Sequence, residues 1–416
     1  MSIIDSMTKT QSKKILQISI EVNSGSVGRI AEQIGDEVLA QNWESYITFA
    51  RNNLPSKSQT IKIGTKKDVY WHVLMTRIFD NHCFESKSAT HKLIKKIKSL
   101  KPDLIHLHHL HGYFININIL FDYLSDANIP VVWTFHDCWS FTGHCAHFEY
   151  VGCEKWKTQC FECPQKNEYP KSLLIDRSYK NYRDKKSIFN SVKDMTIVTP
   201  SKWLQNLVKD SYLNKYPVLT INNGIDLEKF KPLDNYLSIK EKYKIFKDFI
   251  ILGVASTWDE KKGLNFFHEL NNHIEEDETI VLVGLSEDQI KKLPQNVIGI
   301  KRTENVDELA ALYSLSNVFF NPTLEDTYPT TNLEAIACGT PVITFNTGGS
   351  IESVNKDTGF VIEKNDLKGF LEKKNLIKKN NKDFYTTKCR LFAEKNFNKS
   401  ERFKDYINLY SKLLKD

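Results

Sequence analysis

The sequence predicts an α/β protein of two domains, each a parallel sheet with helices on both faces. Three observations predict it. At 416 residues the chain is too long for one ordinary core, so two domains of roughly 200 residues each are expected. Short apolar, β-branched runs alternate with amphipathic helical stretches, the pattern of a parallel sheet covered on both sides. The alternation pauses once, in the turn-rich "PVLTINNGIDLEKFKP" of residues 217–232, and then restarts.

Taken in order, "KILQISIEV" (14–22) reads as the first strand, and "NSGSVGRIAEQIGDEVLAQN" as a loop opening an amphipathic helix. "DLIHLHHL", "VVWTFHD" and "MTIVTPS" read as further buried strands, with a helix over 88–100 among the segments between them. After the pause, "FIILGVAS", "TIVLVG", "VIGI", "NVFFNP", "PVITF" and "GFVI" read as six more strands. The stretch 400–414 is amphipathic, with Phe403, Tyr406, Ile407, Tyr410 and Leu414 on one side. The expected division is a first domain over 1–221, a second over 222–399, and a terminal helix over 400–416 packing back on the first.

Composition narrows the class. The chain is 41% hydrophobic and 26% charged, and its net charge of +6 comes from 57 basic against 51 acidic residues. So mild an excess suits phosphates or an anionic membrane surface and does not call for nucleic acid, which is not expected as a partner. No apolar run approaches the roughly 20 residues that span a bilayer. The opening "MSIIDSMTKTQSKK" lacks a secretion core and is expected to be a frayed tail. A reducing, cytoplasmic setting follows, so the eight cysteines are not by default a disulfide framework.

The chemistry concentrates in "LEDTYPTTNLEAIACGTPVITFNTGGS", residues 324–350. Pro322 ends a strand, and Thr330 or Thr331 is expected to cap a helix whose first turn holds Asn332 and Glu334. The unpaired amides of that helix start carry partial positive charge and suit a diphosphate. Glu334, one turn in, suits a ribose diol, and Glu325 and Asp326 would lie beside whatever the far phosphate carries. Ribose, diphosphate and sugar together make a nucleotide-sugar donor. The bland reading is a capped surface helix with solvated acids.

This segment resembles the donor-binding segment of family 4 glycosyltransferases of the GT-B fold: a carboxylate, seven residues, a glutamate, then Ala-x-Ala-Cys-Gly-x-Pro-Val. "INNGIDLEKFKP" is similar to the family's interdomain signature, "VASTWDEKKGL" to its phosphate-binding loop, and "VVWTFHD" to its N-domain strand ending in His-Asp. The resemblance implies two Rossmann-like domains facing across a cleft, and retaining transfer from a nucleotide sugar with no metal required for catalysis. It implies donor contacts from Gly25, Gly28, Lys261, Lys262, Thr330, Thr331, Asn332 and Glu334, with His136, Glu325 and Asp326 beside the reacting sugar. Two departures stand out. The first carboxylate of the motif falls on Asp326 with Glu325 before it, and Ser256 stands where the family has a phosphate-binding arginine, leaving that charge to Lys261 and Lys262. The branch resembled is that of bacterial surface polysaccharides, colanic-acid type included. The expected acceptor is therefore a growing glycan, lipid-linked, at the inner membrane face. Rival expectations are a nucleotide-sugar epimerase or hydrolase of this fold, and a non-catalytic binding protein.

Seven of the twelve histidines lie between His106 and His147. His106 and His108 alternate along a strand and read as satisfied core or cleft lining, while His109 and His111 sit at its exit. Within an insertion over about 138–170, Cys145, Cys153, Cys160 and Cys163 include a C-x-x-C pair, with His144 and His147 nearby. Four thiolates suit a structural zinc in a loop with little core of its own. Free thiols or a disulfide are the alternatives. Two basic stretches, "HKLIKKIKSLK" (91–101) and "RSYKNYRDKK" (177–186), are candidate contacts for an anionic membrane.

Overall fold

The computed structural model describes residues 12–234 and 236–415. All but the end of the expected N-terminal tail lies outside them. The first sheet holds seven strands: β1 (Lys14–Ile18), β2 (Glu44–Phe49), β3 (Gln59–Lys62), β4 (Leu104–Leu107), β5 (Val131–Thr134), β6 (Met195–Thr199) and β7 (Val218–Thr220). The second holds six: β8 (Phe249–Val254), β9 (Glu278–Val283), β10 (Val297–Ile300), β11 (Val318–Asn321), β12 (Val342–Phe345) and β13 (Gly359–Ile362). Every pairing is parallel. The orders are β3-β2-β1-β4-β5-β6-β7 and β10-β9-β8-β11-β12-β13. Each is the Rossmann order, reversing between β1 and β4 and between β8 and β11. Ligands of such sheets bind in the crevice at the carboxyl ends of the strands flanking that reversal.

Helices cover both sheets. On the first lie α1 (Gly25–Ala40), α2 (Lys66–Phe79), α3 (Lys87–Leu100), α4 (Ile117–Asp126), α5 (Ser178–Phe189) and α6 (Lys202–Asp210). The second domain carries α7 (Leu237–Tyr243), α8 (Leu264–Leu270), α9 (Glu287–Ile290), α10 (Val306–Leu315), α11 (Thr330–Ala337), α12 (Leu367–Asn380) and α13 (Lys382–Asn396). The chain crosses between domains near Ile225, which bridges Asn398 on the way back. The last helix, α14 (Lys399–Leu414), then lies on the first domain, where Phe403, Tyr406 and Tyr410 join Ile30, Ile34 and Val38 of α1 in one apolar cluster. Two hydrogen bonds fix it there: Tyr410 Oη to His106 Nδ1 at 2.6 Å, and Tyr406 Oη to Thr134 Oγ1 at 3.2 Å.

The sequence pattern misses β2, β3 and β7. β3 and β7 are edge strands of four and three residues with little burial, too short to show a period. The basic helix within 91–101 turns one face to the core and its lysines to solvent. Leu93, Ile94 and Ile97 of α3 are buried in the first-domain core, with its lysines outward. In 177–186, Lys185 is wholly buried, its ammonium donating to the carbonyls of Trp139 and Thr142.

Between β5 and α5 runs an irregular segment with two 3-10 turns, Trp139–Phe141 and Lys155–Lys157. Its expected core was small, and the structure gives it an aromatic one. Phe148 stacks on Trp156 at 4.9 Å between centroids and Phe141 meets Trp156 edge-on at 5.2 Å. Burying three such rings stabilises the loop by several kcal/mol before any cross-link is counted.

Candidate active site in the interdomain cleft

The carboxyl ends of β8 and β11 lead into two loops that carry the charged residues. After β8, the turn at Asp259 (accepting from Lys262 N at 2.9 Å) presents Lys261 and Lys262 and ends at Gly263. Gly263 has φ +77°, and a Cβ there would lie 2.3 Å from Pro322 O, so only glycine lets this loop pack on the β11 exit. After β11, Glu325 and Asp326 face those lysines. Lys261 Nζ lies 3.2 Å from Glu325 Oε1, and Lys262 Nζ lies 2.8 Å from Asp326 Oδ2. Burial alone would lower Lys262, but the Asp326 carboxylate outweighs it and holds the ammonium raised. The double glycine of "NTGGS" serves the same turn. Gly349 N donates to Asp326 O at 3.0 Å, and a Cβ on Gly348 (φ +49°) would meet that oxygen at 2.0 Å.

The α11 start departs from expectation. Its N-cap is Pro329, and neither Thr330 nor Thr331 caps it by side chain. A proline N-cap leaves the first amides without a side-chain acceptor, which suits an incoming anion better than a threonine cap would. Asn332 was expected among the donor contacts, but it is fully buried. Its side chain accepts from Asn321 Nδ2 at 2.8 Å and donates to Ser350 Oγ and Ser353 Oγ at 3.2 and 2.8 Å. Asn332 therefore holds the α11 start in place. Glu334 is half-buried, accepts from Tyr313 Oη at 3.0 Å, and is raised to about 7 by burial, against the opposing pull of Arg29 from α1. Gly25 is exposed and Gly28 buried at the start of that same helix.

The facing wall is built of neutral rings. His106 is spent on Tyr410 and Thr134, and His108 Nε2 donates to Gln17 Oε1 at 2.9 Å. Burial first, then neighbouring histidines, pushes His108 and His136 well below 6.5, so each carries one ring proton. The His108 proton is on Nε2, so its Nδ1 accepts from His136 Nε2 at 3.3 Å. That leaves the lone pair of His136 on Nδ1, free for a hydroxyl donor. The His136 carbonyl accepts from Thr327 Oγ1 at 3.0 Å, which fixes this histidine beside the acidic turn.

Next to it, Asp137 Oδ2 accepts from His111 Nε2 at 2.7 Å and lies 3.3 Å from His109 Nε2, while its Oδ1 accepts from Trp139 N at 2.9 Å. Burial would raise Asp137, but these partners outweigh it and hold the carboxylate well below 3.8. His111 is lowered by burial, and its Nδ1 accepts from Tyr169 Oη at 2.9 Å. Between the walls lies a cavity of ≈ 370 Å³ reaching from His109, His111 and Asp137 to Lys261, Lys262 and Glu325. Glu325, and not Asp326, lines it. A larger groove of ≈ 720 Å³ between α3 and α4 lies away from the cleft and its chemistry.

The irregular segment supplies residues that no sequence motif marks. Glu149 Oε1 accepts from Thr347 Oγ1 and Gly348 N at 3.0 and 3.1 Å and pairs with Lys364 at 3.1 Å. Tyr150 N donates to Glu325 Oε2 at 3.2 Å, and Lys261 Nζ donates to Gln165 Oε1 at 3.1 Å. Glu149 so sits where the second domain gathers donors for an anion.

Four thiols line one small cavity of ≈ 10 Å³: Cys145, Cys153, Cys160 and Cys163. All are free of disulfide bonds. Hydrogen bonding with Cys145 lowers Cys163 to about 7, and Cys160 Sγ accepts from Gly143 N at 3.2 Å. His144 does not join them by Nδ1, which lies 2.7 Å from Asp80. Among the described residues, three donor atoms lie within 4.8 Å of one another in His109–His111–Asp137 and in Glu275–Asp277–Glu278, and not among the cysteines. The second group is paired with Lys374 and Lys378.

Two family models match the chain in tandem. Glycosyltransferase Family 4 covers residues 27–229, and Glycosyl transferases group 1 covers 248–377. WcaC, assigned to colanic acid biosynthesis in Escherichia coli K12, is 23% identical over 370 residues, covering 85% of this chain and 88% of that one. An Escherichia coli UDP-Gal:α-D-GlcNAc-diphosphoundecaprenol α-1,3-galactosyltransferase is 30% identical over 177 residues, 39% of this chain and 46% of that one. Among solved structures, sucrose-phosphate synthase of Thermosynechococcus elongatus superposes with a TM-score of 0.70 at 16% identity, over 96% and 99% of the two chains.

Proposed function

Because the chain belongs to the family 4 glycosyltransferases and has their GT-B fold, we propose that it moves a hexosyl unit from a nucleoside-diphosphate sugar onto a growing, lipid-linked glycan of a bacterial surface polysaccharide. The observation that carries this is the meeting of two unlike walls at both sheet reversals. Paired lysines and a ribose-height carboxylate stand on one, neutral hydrogen-bonding rings on the other. The relatives' names support the polysaccharide setting, and the galactosyltransferase supports UDP and a lipid diphosphate acceptor.

In this reading Glu334 ionises as it accepts the ribose diol, and the α11 amides of Thr330 and Thr331 with Lys261 and Lys262 hold the diphosphate. As the sugar–phosphate bond breaks, charge grows on the phosphate and those lysines stabilise it. Glu149 gives up Lys364 and Gly348 to the incoming donor. His136 Nδ1 accepts a sugar hydroxyl. Glu325 and Asp326 are held in ion pairs, which disfavours either as a covalent nucleophile. This supports front-face attack, in which the leaving phosphate oxygen takes the acceptor's proton and configuration is retained.

The transfer step takes no metal in this account. The cysteine loop is a separate matter. Four thiols around an ion-sized gap suit zinc by donor type and number, provided the sulfurs draw in to the about 3.8 Å spacing of a tetrahedral shell. The zinc would brace the loop that delivers Glu149 and Tyr150.

A thermal-shift screen against UDP-, GDP-, ADP- and dTDP-sugars tests the donor reading, since a ligand of the native state raises the midpoint. One base, UDP first, should stabilise the chain. No shift with any of the four would sink the proposal.

A further inference from the structure

The outward face of α2 carries Tyr70, Trp71 and Leu74, and beside it a loop exposes three consecutive aliphatic residues, Leu173, Leu174 and Ile175. These six are between 42% and 71% exposed. They form one surface, because Leu173 N donates to Arg77 O at 2.7 Å and Ile175 N to Ile78 O at 3.3 Å, which lays the loop along the last turn of α2. A contiguous apolar patch of this kind on an otherwise polar surface marks an interaction site. The face is also rigid. On the inner side of α2, His72 is fully buried, accepting from Cys83 N at 2.9 Å and hydrogen-bonded to Ser86 Oγ at 2.8 Å.

From this geometry we infer that α2 and the 173–175 loop form the surface by which the enzyme docks on an anionic lipid bilayer. The inference rests on the lipid-linked acceptor proposed above. Three features favour a bilayer as the occupant. The patch mixes a Trp and a Tyr with bare aliphatic chains, the composition of interfacial anchors. Lys66 and Lys67 stand exposed in the first turn of α2, where the helix dipole disfavours cations, so folding gives no reason for them. The nearby acids are already engaged: Asp68 closes the Thr65 cap, Glu85 accepts from Trp71 Nε1 and Asn81, and Asp176 accepts from the Cys163 and Ser178 amides. Those neutral donors leave the three acids charged, and Lys66, Lys67, Arg77 and Lys171 outnumber them by one, a balance complementary to anionic headgroups.

Position supplies the third feature. The His72 ring packs 5.9 Å from Tyr113, which packs 6.1 Å from Tyr169, whose hydroxyl holds His111 at the cleft cavity. The patch therefore backs directly onto the neutral wall of the cleft, the one left for the acceptor once the lysines take the diphosphate. A lipid-borne glycan anchored at α2 thus starts one aromatic layer away from the cleft.

Co-sedimentation of the full chain with phosphatidylglycerol–phosphatidylcholine vesicles, and with phosphatidylcholine alone, tests this. The wild type should bind the anionic vesicles, and Trp71→Ser with Leu174→Ser should lower the bound fraction by about tenfold or more. Lys66→Glu with Lys67→Glu should make the residual binding insensitive to salt. Lys95→Glu with Lys96→Glu on α3 should change little. All these residues are exposed, and unchanged thermal midpoints confirm folding. Undiminished binding by the Trp71/Leu174 variant, loss through the α3 variant alone, or self-association of the free chain without vesicle binding would each overturn the assignment. Vesicle binding that follows the patch while no sugar reaches a detergent-dispersed lipid-linked acceptor would leave the docking surface standing and sink the acceptor reading.

Discussion

The two walls of the cleft solve opposite electrostatic problems. On the second domain, charge is stored in pairs, Lys261 with Glu325 and Lys262 with Asp326, and Lys364 pairs across the cleft with Glu149 of the first domain. On the first, it is removed by burial, which keeps His108, His111 and His136 neutral, and the Asp137 carboxylate is held there by the His111 N–H. A donor that brings its own negative charge finds ammonium groups there and competes for them with the resident carboxylates. An acceptor hydroxyl needs only a lone pair. The difference teaches which wall takes which substrate.

Breaking the charged wall should have the greatest consequence. Lys262→Ala removes an ammonium from the developing phosphate charge and leaves Asp326 unpaired, so transfer should slow by about 10²–10³-fold, read as kcat with saturating donor. A loss under threefold would move phosphate stabilisation elsewhere. The loop that bridges the walls comes next. The purified chain should hold about one zinc, released by a mercurial at the four thiols, with a matching fall in thermal midpoint. Metal-free protein of unchanged activity would reduce the loop to its Phe141–Phe148–Trp156 core. The smallest effect has the opposite sign. Glu149→Gln removes a resident carboxylate from Thr347, Gly348 and Lys364, so donor affinity should rise by about threefold to tenfold. Weaker donor binding would make Glu149 a donor contact.

The asymmetry also governs what could be read from sequence. All six strands of the second sheet stand out, because each holds a mostly apolar run, fully buried in β9, β11 and β12, and the acidic and helix-start residues fall in a fixed-spacing motif. Lys261, Lys262 and Glu334 are marked in sequence by the motifs themselves. Thr330, Thr331 and Asn332 were legible only as a helix start. That Pro329 caps α11 and that Asn332 turns inward to Ser350 and Ser353 depends on contacts eighteen or more residues away, which spacing does not encode. The first wall was harder to read. Its tautomers rest on Gln17, far from the histidines in sequence, and Glu149, Tyr150 and Tyr169 come from a segment with no period. The basic helix α3 does not discriminate, because lysines mark its outer face whether or not a membrane lies there.

Titrating the donor nucleotide into two variants tests the division of labour most directly. Glu334→Gln should lose at least about tenfold in affinity, the worth of a charge-assisted contact to a diol, while Asp137→Asn should bind the nucleotide as the wild type does and yet transfer poorly. The reverse pattern, with nucleotide affinity lost in Asp137→Asn and kept in Glu334→Gln, would contradict the assignment of donor to the charged wall and acceptor to the neutral one.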